Sequence, residues 1–171
     1  MKNNLIIETN FNFKSQICTD RNQSERLLAL GLKKETADCY YWQETEPMYG
    51  EAAGIWHLET LDSKDSQEHF EYLDKHFGVC LADDEEHYFI PAWSLHRLIE
   101  MMPKCVRAHS SGDDSPRLHP YVPKFDYRGV TIENIDEILA DFYQHTDLFN
   151  NIIECIEWLI KEGYFNKEYL V

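Results

Sequence analysis

No apolar run in this chain approaches the roughly 20 residues that a membrane-spanning helix requires, so a helical membrane protein is not expected. The start, Met1-Lys2-Asn3-Asn4-Leu5-Ile6-Ile7-Glu8, lacks the uninterrupted apolar stretch of a signal peptide. No two cysteines form a C-x-x-C pair, and the five present (Cys18, Cys39, Cys80, Cys105, Cys155) are scattered singly. An odd count of isolated thiols suits a reducing compartment in which each packs as a small apolar residue, so no disulfide framework is expected. The location implied is the cytoplasm. Basic residues are also scarce: 16 Lys+Arg stand against 31 Asp+Glu, a formal charge of −15. Such a field repels phosphate at long range, which disfavours direct binding to duplex nucleic acid. Internal repeats and low-complexity tracts are absent.

The usual catalytic signatures are missing too. Ser94 is not in a G-x-S-x-G elbow, and no G-x-x-x-x-G-K-[ST] or G-x-G-x-x-G loop is there to cradle phosphates. His69 and His76 are seven residues apart on one expected helix, about 10 Å along its axis and too far to share an ion. His109, Asp113, Asp114 and His119 lie close in sequence, yet no cysteine pair or H-E-x-x-H spacing accompanies them. The adjacent acids Asp83-Asp84-Glu85-Glu86 read as a solvated turn. No metal, no cofactor and no enzymatic chemistry is expected.

What is present describes one domain, residues 1–171, with 43% hydrophobic residues. A chain of this length buries about 70% of its unfolded surface and needs no covalent staple. The expected class is α+β: a small, mostly antiparallel sheet with two longer helices packed on one face. Leu5 to Phe13 reads as a strand. Asp20 or Ser24 can cap a short helix ending at Gly31, and Lys33 to Trp42 reads as a second helix or a turn. Ala52 to Leu58 suits a strand. Phe70, Leu73 and Phe77 give Ser63–Phe77 a helical period. His87 to Pro91 reads as a short strand that the proline ends or places at an edge. Ser94 caps a helix over Leu95–Met102, with Pro103 as its stop. Residues 109–124 hold three of the six prolines and read as a long loop. Phe125 to Ile132 suits a strand with a turn or bulge at Gly129, and Ile135, Ile138, Leu139 and Phe142 continue as a helical face. The strongest signal is the last helix, capped by Asp147 and ended by Gly163. Its stripe of Leu148, Phe149, Ile152, Ile153, Ile156, Leu159 and Ile160 marks it as the spine of the core.

Only residues 101–130 are net positive, with five basic and three acidic side chains. Trp93 precedes a helix whose first N–H groups, beginning at Ser94, suit an anion. Arg97, Lys104, Arg107, Arg117 and Arg128 lie nearby in sequence, and with Trp93 or Tyr127 stacking on a base they would form a pocket for a small anion such as a signalling nucleotide. The simpler alternative is that Ser94 caps its own helix and Trp93 fills the core. The adjacent rings Tyr40, Tyr41 and Trp42 cannot all face one way, so at least one meets solvent or another segment.

The segments Ser24-Glu25-Arg26-Leu27-Leu28-Ala29-Leu30-Gly31-Leu32 with Thr36-Ala37-Asp38, Ile90-Pro91-Ala92-Trp93-Ser94-Leu95 with Leu98 and Met102-Pro103, and Ile153-Glu154-Cys155-Ile156-Glu157-Trp158-Leu159-Ile160 resemble a family of small proteins carried by Bacteroidetes phages and mobile elements. That resemblance implies a genetic setting and an accessory role in binding something of the host, and it supplies no catalytic residue. The expected function is therefore a non-enzymatic acidic binding protein. It would occupy a host factor, with the acidic segments 61–86 and 133–168 mimicking nucleic acid. The alternative is the small-anion binder built on the 96–128 island, and an enzyme without a recognisable motif is least favoured.

Overall fold

The computed structural model describes residues 16–43, 56–76, 89–109 and 118–171. The expected strand at 5–13, the acidic turn at 83–86 and Arg117 lie outside these residues. Among the described residues, four helices and seven strands form an α+β fold with two antiparallel sheets, where the sequence suggested one. The first sheet has the order β2-β1-β3, from Trp56–Thr60, Cys39–Gln43 and Phe89–Ala92. The second has the order β4-β5-β6-β7, from Val106–Ala108, His119–Phe125, Val130–Glu133 and Ile138–Phe142.

Helix α1, Arg21–Ala29, begins with a reciprocal capping box: Asp20 accepts from the Gln23 N–H at 2.9 Å, and Gln23 accepts from the Asp20 N–H at 3.0 Å. It stops before Gly31, whose φ of 89° suits only a residue without a side chain. Helix α2, Lys64–His76, and α3, Leu95–Met101, fall where the apolar period and the Ser94 cap place them. Helix α4, Leu148–Lys161, is capped by Asp147 and buries Phe149, Ile152, Ile153, Cys155, Ile156 and Leu159. These residues meet Leu27 of α1, Leu98 and Met101 of α3, and Tyr121, Val130, Ile132 and Phe142 of the second sheet in one core. Truncating one of its isoleucines to alanine costs about 2–5 kcal/mol, so α4 is the spine that its stripe promised. Rather than sharing one face, the two longer helices divide the sheets: α4 covers the second, and α2 lays Phe70 and Leu73 on Tyr40 and Phe89 of the first. Among the described residues no helix is long and apolar enough to cross a membrane.

Three segments differ from their sequence reading. After a 3-10 turn at Lys34–Thr36, the chain from Cys39 runs as β1, so the three rings Tyr40, Tyr41 and Trp42 sit on a strand. The end of the expected 109–124 loop, from His119 on, belongs to β5. Its prolines are tolerated because β4 pairs only with 119–121 and β6 only with 122–125, so neither Pro120 nor Pro123 lies between two neighbours. The helical face expected at 135–142 is the strand β7. The Asn134 carboxamide accepts from the Asp136 and Glu137 N–H groups at 2.8 and 2.9 Å, which turns the chain back into a hairpin before a helix can start.

The glycine turn expected at Gly129 is present. Asp126 accepts from the Arg128 and Gly129 N–H groups, which hold its carboxyl below the usual range. A Cβ at Gly129 would lie 2.1 Å from the Phe142 carbonyl oxygen, so no other residue fits between β6 and β7 there.

The cysteine reading needs correction. A disulfide joins Cys18 and Cys39, 21 residues apart in sequence, with Cα atoms 6.8 Å apart. Spacing gives no hint of it because α1 and the turn after it fold the chain back. Cys18, bridged to Ser94, then lies beside Cys39, paired with Ala92. Cys155 is buried, and burial pushes its thiol up to about 12.

Candidate functional site

Trp93, the ring expected to stack on a ligand, is 0% exposed. Its indole N–H donates to Thr36 Oγ1 at 3.0 Å and its backbone N–H to Thr19 Oγ1 at 3.0 Å. Ser94 caps α3 through the Arg97 N–H, and its own N–H and hydroxyl both donate to the Asp38 carboxylate, at 2.7 and 2.5 Å. The anion seat before α3 thus holds a carboxylate of the chain itself. Arg97 is committed as well, donating to the Thr36 carbonyl at 2.8 Å and to Glu100 at 3.3 Å.

Lys104 and Arg107 are exposed. Arg128 lies with its guanidinium 5.4 Å from the Tyr127 ring centroid and 5.8 Å from that of Tyr143. Tyr127 is 83% exposed. Among the described residues no hydrogen bond, ion pair or ring contact links this group to Trp93, Ser94, Arg97, Lys104 or Arg107. The structure therefore brings Tyr127 and Arg128 together, and separately Trp93, Ser94 and Arg97 around Thr36 and Asp38.

A denser group of polar side chains lies between the first sheet and α2. In the β1–β2 register Tyr40 faces Glu59 and Trp42 faces His57, so two alternate positions of each strand share one side of the sheet. His69 reaches down to them from α2. Tyr40 donates its hydroxyl to Glu59, and Trp42 Nε1 donates to the other carboxylate oxygen at 3.0 Å. His69 Nδ1 lies 2.9 Å from the Tyr40 oxygen and 3.6 Å from Glu59. Because the tyrosine proton goes to Glu59, His69 donates Nδ1–H to the phenol oxygen, which assigns its tautomer.

Burial raises the Glu59 carboxyl, but the Tyr40 and Trp42 donors and His69 outweigh it and hold the group below its ordinary value. Burial and the neighbouring Glu59 push Tyr40 upward. The His57 ring stacks on Trp42 at 4.6 Å, and its Nε2 is buried without a hydrogen-bond partner among the described residues. The result is a fixed, ionised and partly exposed carboxylate, walled by aromatic rings and an imidazole.

Charge continues outward from this group along α2. Asp62, Asp65, Glu68, Glu71 and Asp74 recur at every third residue. Successive members rise about 4.5 Å along the axis and turn by about 60° around it, so from Asp62 in the preceding turn the carboxylates wind around α2 instead of lining one face. Glu68 pairs with Lys64 at 3.0 Å and Asp74 with Lys34, while Asp62, Asp65 and Glu71 are exposed and have no ion-pair partner among the described residues. The acidic residues of 133–168 are more engaged: Glu133 pairs with Lys124, Glu154 with His145, Glu157 with Arg26, and Asp147 caps α4.

Neither the ring cluster nor the i+3 row was singled out from the sequence. The alternation of Tyr40 and Trp42 with His57 and Glu59 has the strand period, but its meaning depends on a cross-strand register that letters do not display. Metal ligation has no constellation: among the described residues no three His, Cys, Asp or Glu side chains are placed to hold an ion. His69 bonds Tyr40, and His76 Nδ1 lies 2.7 Å from the Tyr72 carbonyl oxygen. No family model matches the chain, and comparisons with curated proteins and with solved structures likewise found no match.

Proposed function

We propose that this is a non-enzymatic accessory protein of a phage or mobile element that occupies the nucleic-acid groove of a basic host protein. The observation that carries the reading is the acidic surface of α2 and the turn before it, where Asp62, Asp65 and Glu71 are exposed and lack a cation partner among the described residues. The ionised Glu59, 3.6 Å from His69 of α2, adds a further negative charge beside it. Complementary potentials raise association rates and are screened over about 8 Å at physiological salt, so the contact is salt-sensitive. The site of action in this reading is the cytoplasm. The Cys18–Cys39 bond is compatible with it because both residues are buried, away from attacking thiolates.

The alternative, a small anion on the 96–128 island, has less support. Trp93 is closed off in the core, Ser94 and Arg97 are engaged internally, and the Arg128 guanidinium lies against Tyr127 and Tyr143 beside the Asp126 carboxylate.

The experiment measures displacement of a labelled DNA duplex from heparin-retained host proteins. The chain should displace the duplex at about 50 mM salt and lose most of that effect at about 200 mM. The Asp65→Lys/Glu71→Lys variant should fail at both. No displacement at low salt, or an unimpaired variant, overturns the reading.

A further inference from the structure

Strand β7 closes the second sheet, and among the described residues only β6 pairs with it. In an antiparallel edge strand, alternate N–H and C=O groups point away from the sheet, and among the described residues those of β7 make no turn, loop or cap bond. α4 covers the inner face beside this strand, where Phe142 lies 6.0 Å from Trp158, so the edge is held firmly in place. The side chains along it are of two kinds. Ile138 is 58% exposed, and Ile135, in the turn leading into β7, is fully exposed. Asp136 and Asp141 are exposed carboxylates with no cation partner among the described residues. Beside that turn lies an open groove of about 400 Å³ lined by Val122, Lys124, Glu133, Ile135 and Asp136 among others.

We infer that β7 is a docking edge that receives an extended, basic segment of a partner protein as an added strand. Backbone pairing would supply the affinity, as in other cases of strand addition. The exposed side chains would supply the selectivity: apolar groups meet Ile138 and Ile135, and lysines or arginines meet Asp136 and Asp141, across the irregularity that Leu139 introduces into β7. A second copy of this chain is the poorer occupant, because it would set Asp141 and a net charge of −15 against the same again. The inference goes beyond the α2 reading and does not depend on it, since α2 belongs to the other sheet's face.

The test uses the full chain and a nine-residue synthetic peptide alternating valine with lysine and threonine. Two controls accompany it, one with glutamate in place of lysine and one with alternate backbone nitrogens methylated. Binding is read by fluorescence anisotropy, and its place by amide hydrogen exchange. The basic peptide should bind and slow exchange within 137–143. The methylated peptide should lose binding, and the glutamate peptide should bind at least ten-fold more weakly. Asp141→Lys should weaken the basic peptide about ten-fold, whereas Asp65→Lys/Glu71→Lys should leave it unchanged. Equal binding of the methylated peptide, protection confined to residues outside β7, or a free chain that sediments as a dimer with β7 already protected would each overturn the proposal.

Discussion

Breaking the Cys18–Cys39 bond should cost the protein a calculable amount. The bond closes a loop spanning 21 residues of sequence separation. The chain-entropy relation then assigns it roughly 3 kcal/mol at 25 °C, mostly by restricting the unfolded chain. For a chain of this length that corresponds to a fall in Tm of about 9 °C. Two measurements check this. Urea unfolding with and without a phosphine reductant should shift the midpoint by an amount equivalent to that energy without altering the slope. Thiol titration of the unfolded, unreduced protein should find two fewer reactive groups than after reduction. The Cys18→Ala/Cys39→Ala variant should behave as the reduced protein does and no longer respond to reductant, with a small further loss from the space left beside Ala92 and Tyr41. Five reactive thiols in the unreduced, unfolded chain, or a midpoint indifferent to reductant, would refute the reasoning.

Two more changes are informative. Asp38→Ala removes the acceptor for both the N–H and the hydroxyl of Ser94 and should destabilise by about 2–3 kcal/mol in urea unfolding, while Asp38→Asn recovers part of the loss. Glu59, whose folded pKa lies below its ordinary 4.5, contributes stability that is present above that pH and lost as the pH falls through the folded value. The stability gap between wild type and Glu59→Gln should therefore be constant above about pH 5 and shrink in more acid solution, as followed by thermal unfolding across a pH series. A gap that is unchanged at low pH would remove the assigned role of Tyr40 and Trp42 as donors to this carboxylate.

The helices were legible in the letters because their causes are local. Asp20, Ser94 and Asp147 each accept from N–H groups two or three residues on, and the stripe of α4 repeats within one element. The strands β1, β5 and β7 were not, because what makes them strands lies elsewhere in the chain. Lys33–Trp42 has helix-compatible residues, but after the turn at Lys34–Thr36 its part from Cys39 pairs with Trp56–Thr60 and Phe89–Ala92, and β5 tolerates two prolines only because its neighbours are staggered. At 135–142 the spacing of Ile135, Ile138, Leu139 and Phe142 imitates a helix, and the Asn134 turn decides against it.

The candidate site divides in the same way. The cap at Ser94 could be read directly, whereas the partner of that cap, Asp38, is 56 residues away, and the Tyr40–Glu59–His69 group spans three elements.

The carboxylate of Asp38 before α3 also sets the terms on which any outside anion meets this protein. It is a ligand that never diffuses away, present at an effective concentration of millimolar or above even for a loose tether, and here it is held in place by two hydrogen bonds. A phosphate group arriving from solution would have to evict it and leave a charge stranded at a half-buried position. Mass action thus keeps the seat saturated from within, so a chain that looks in sequence like a receptor for anions behaves as one whose receptor has already been filled by its own residue.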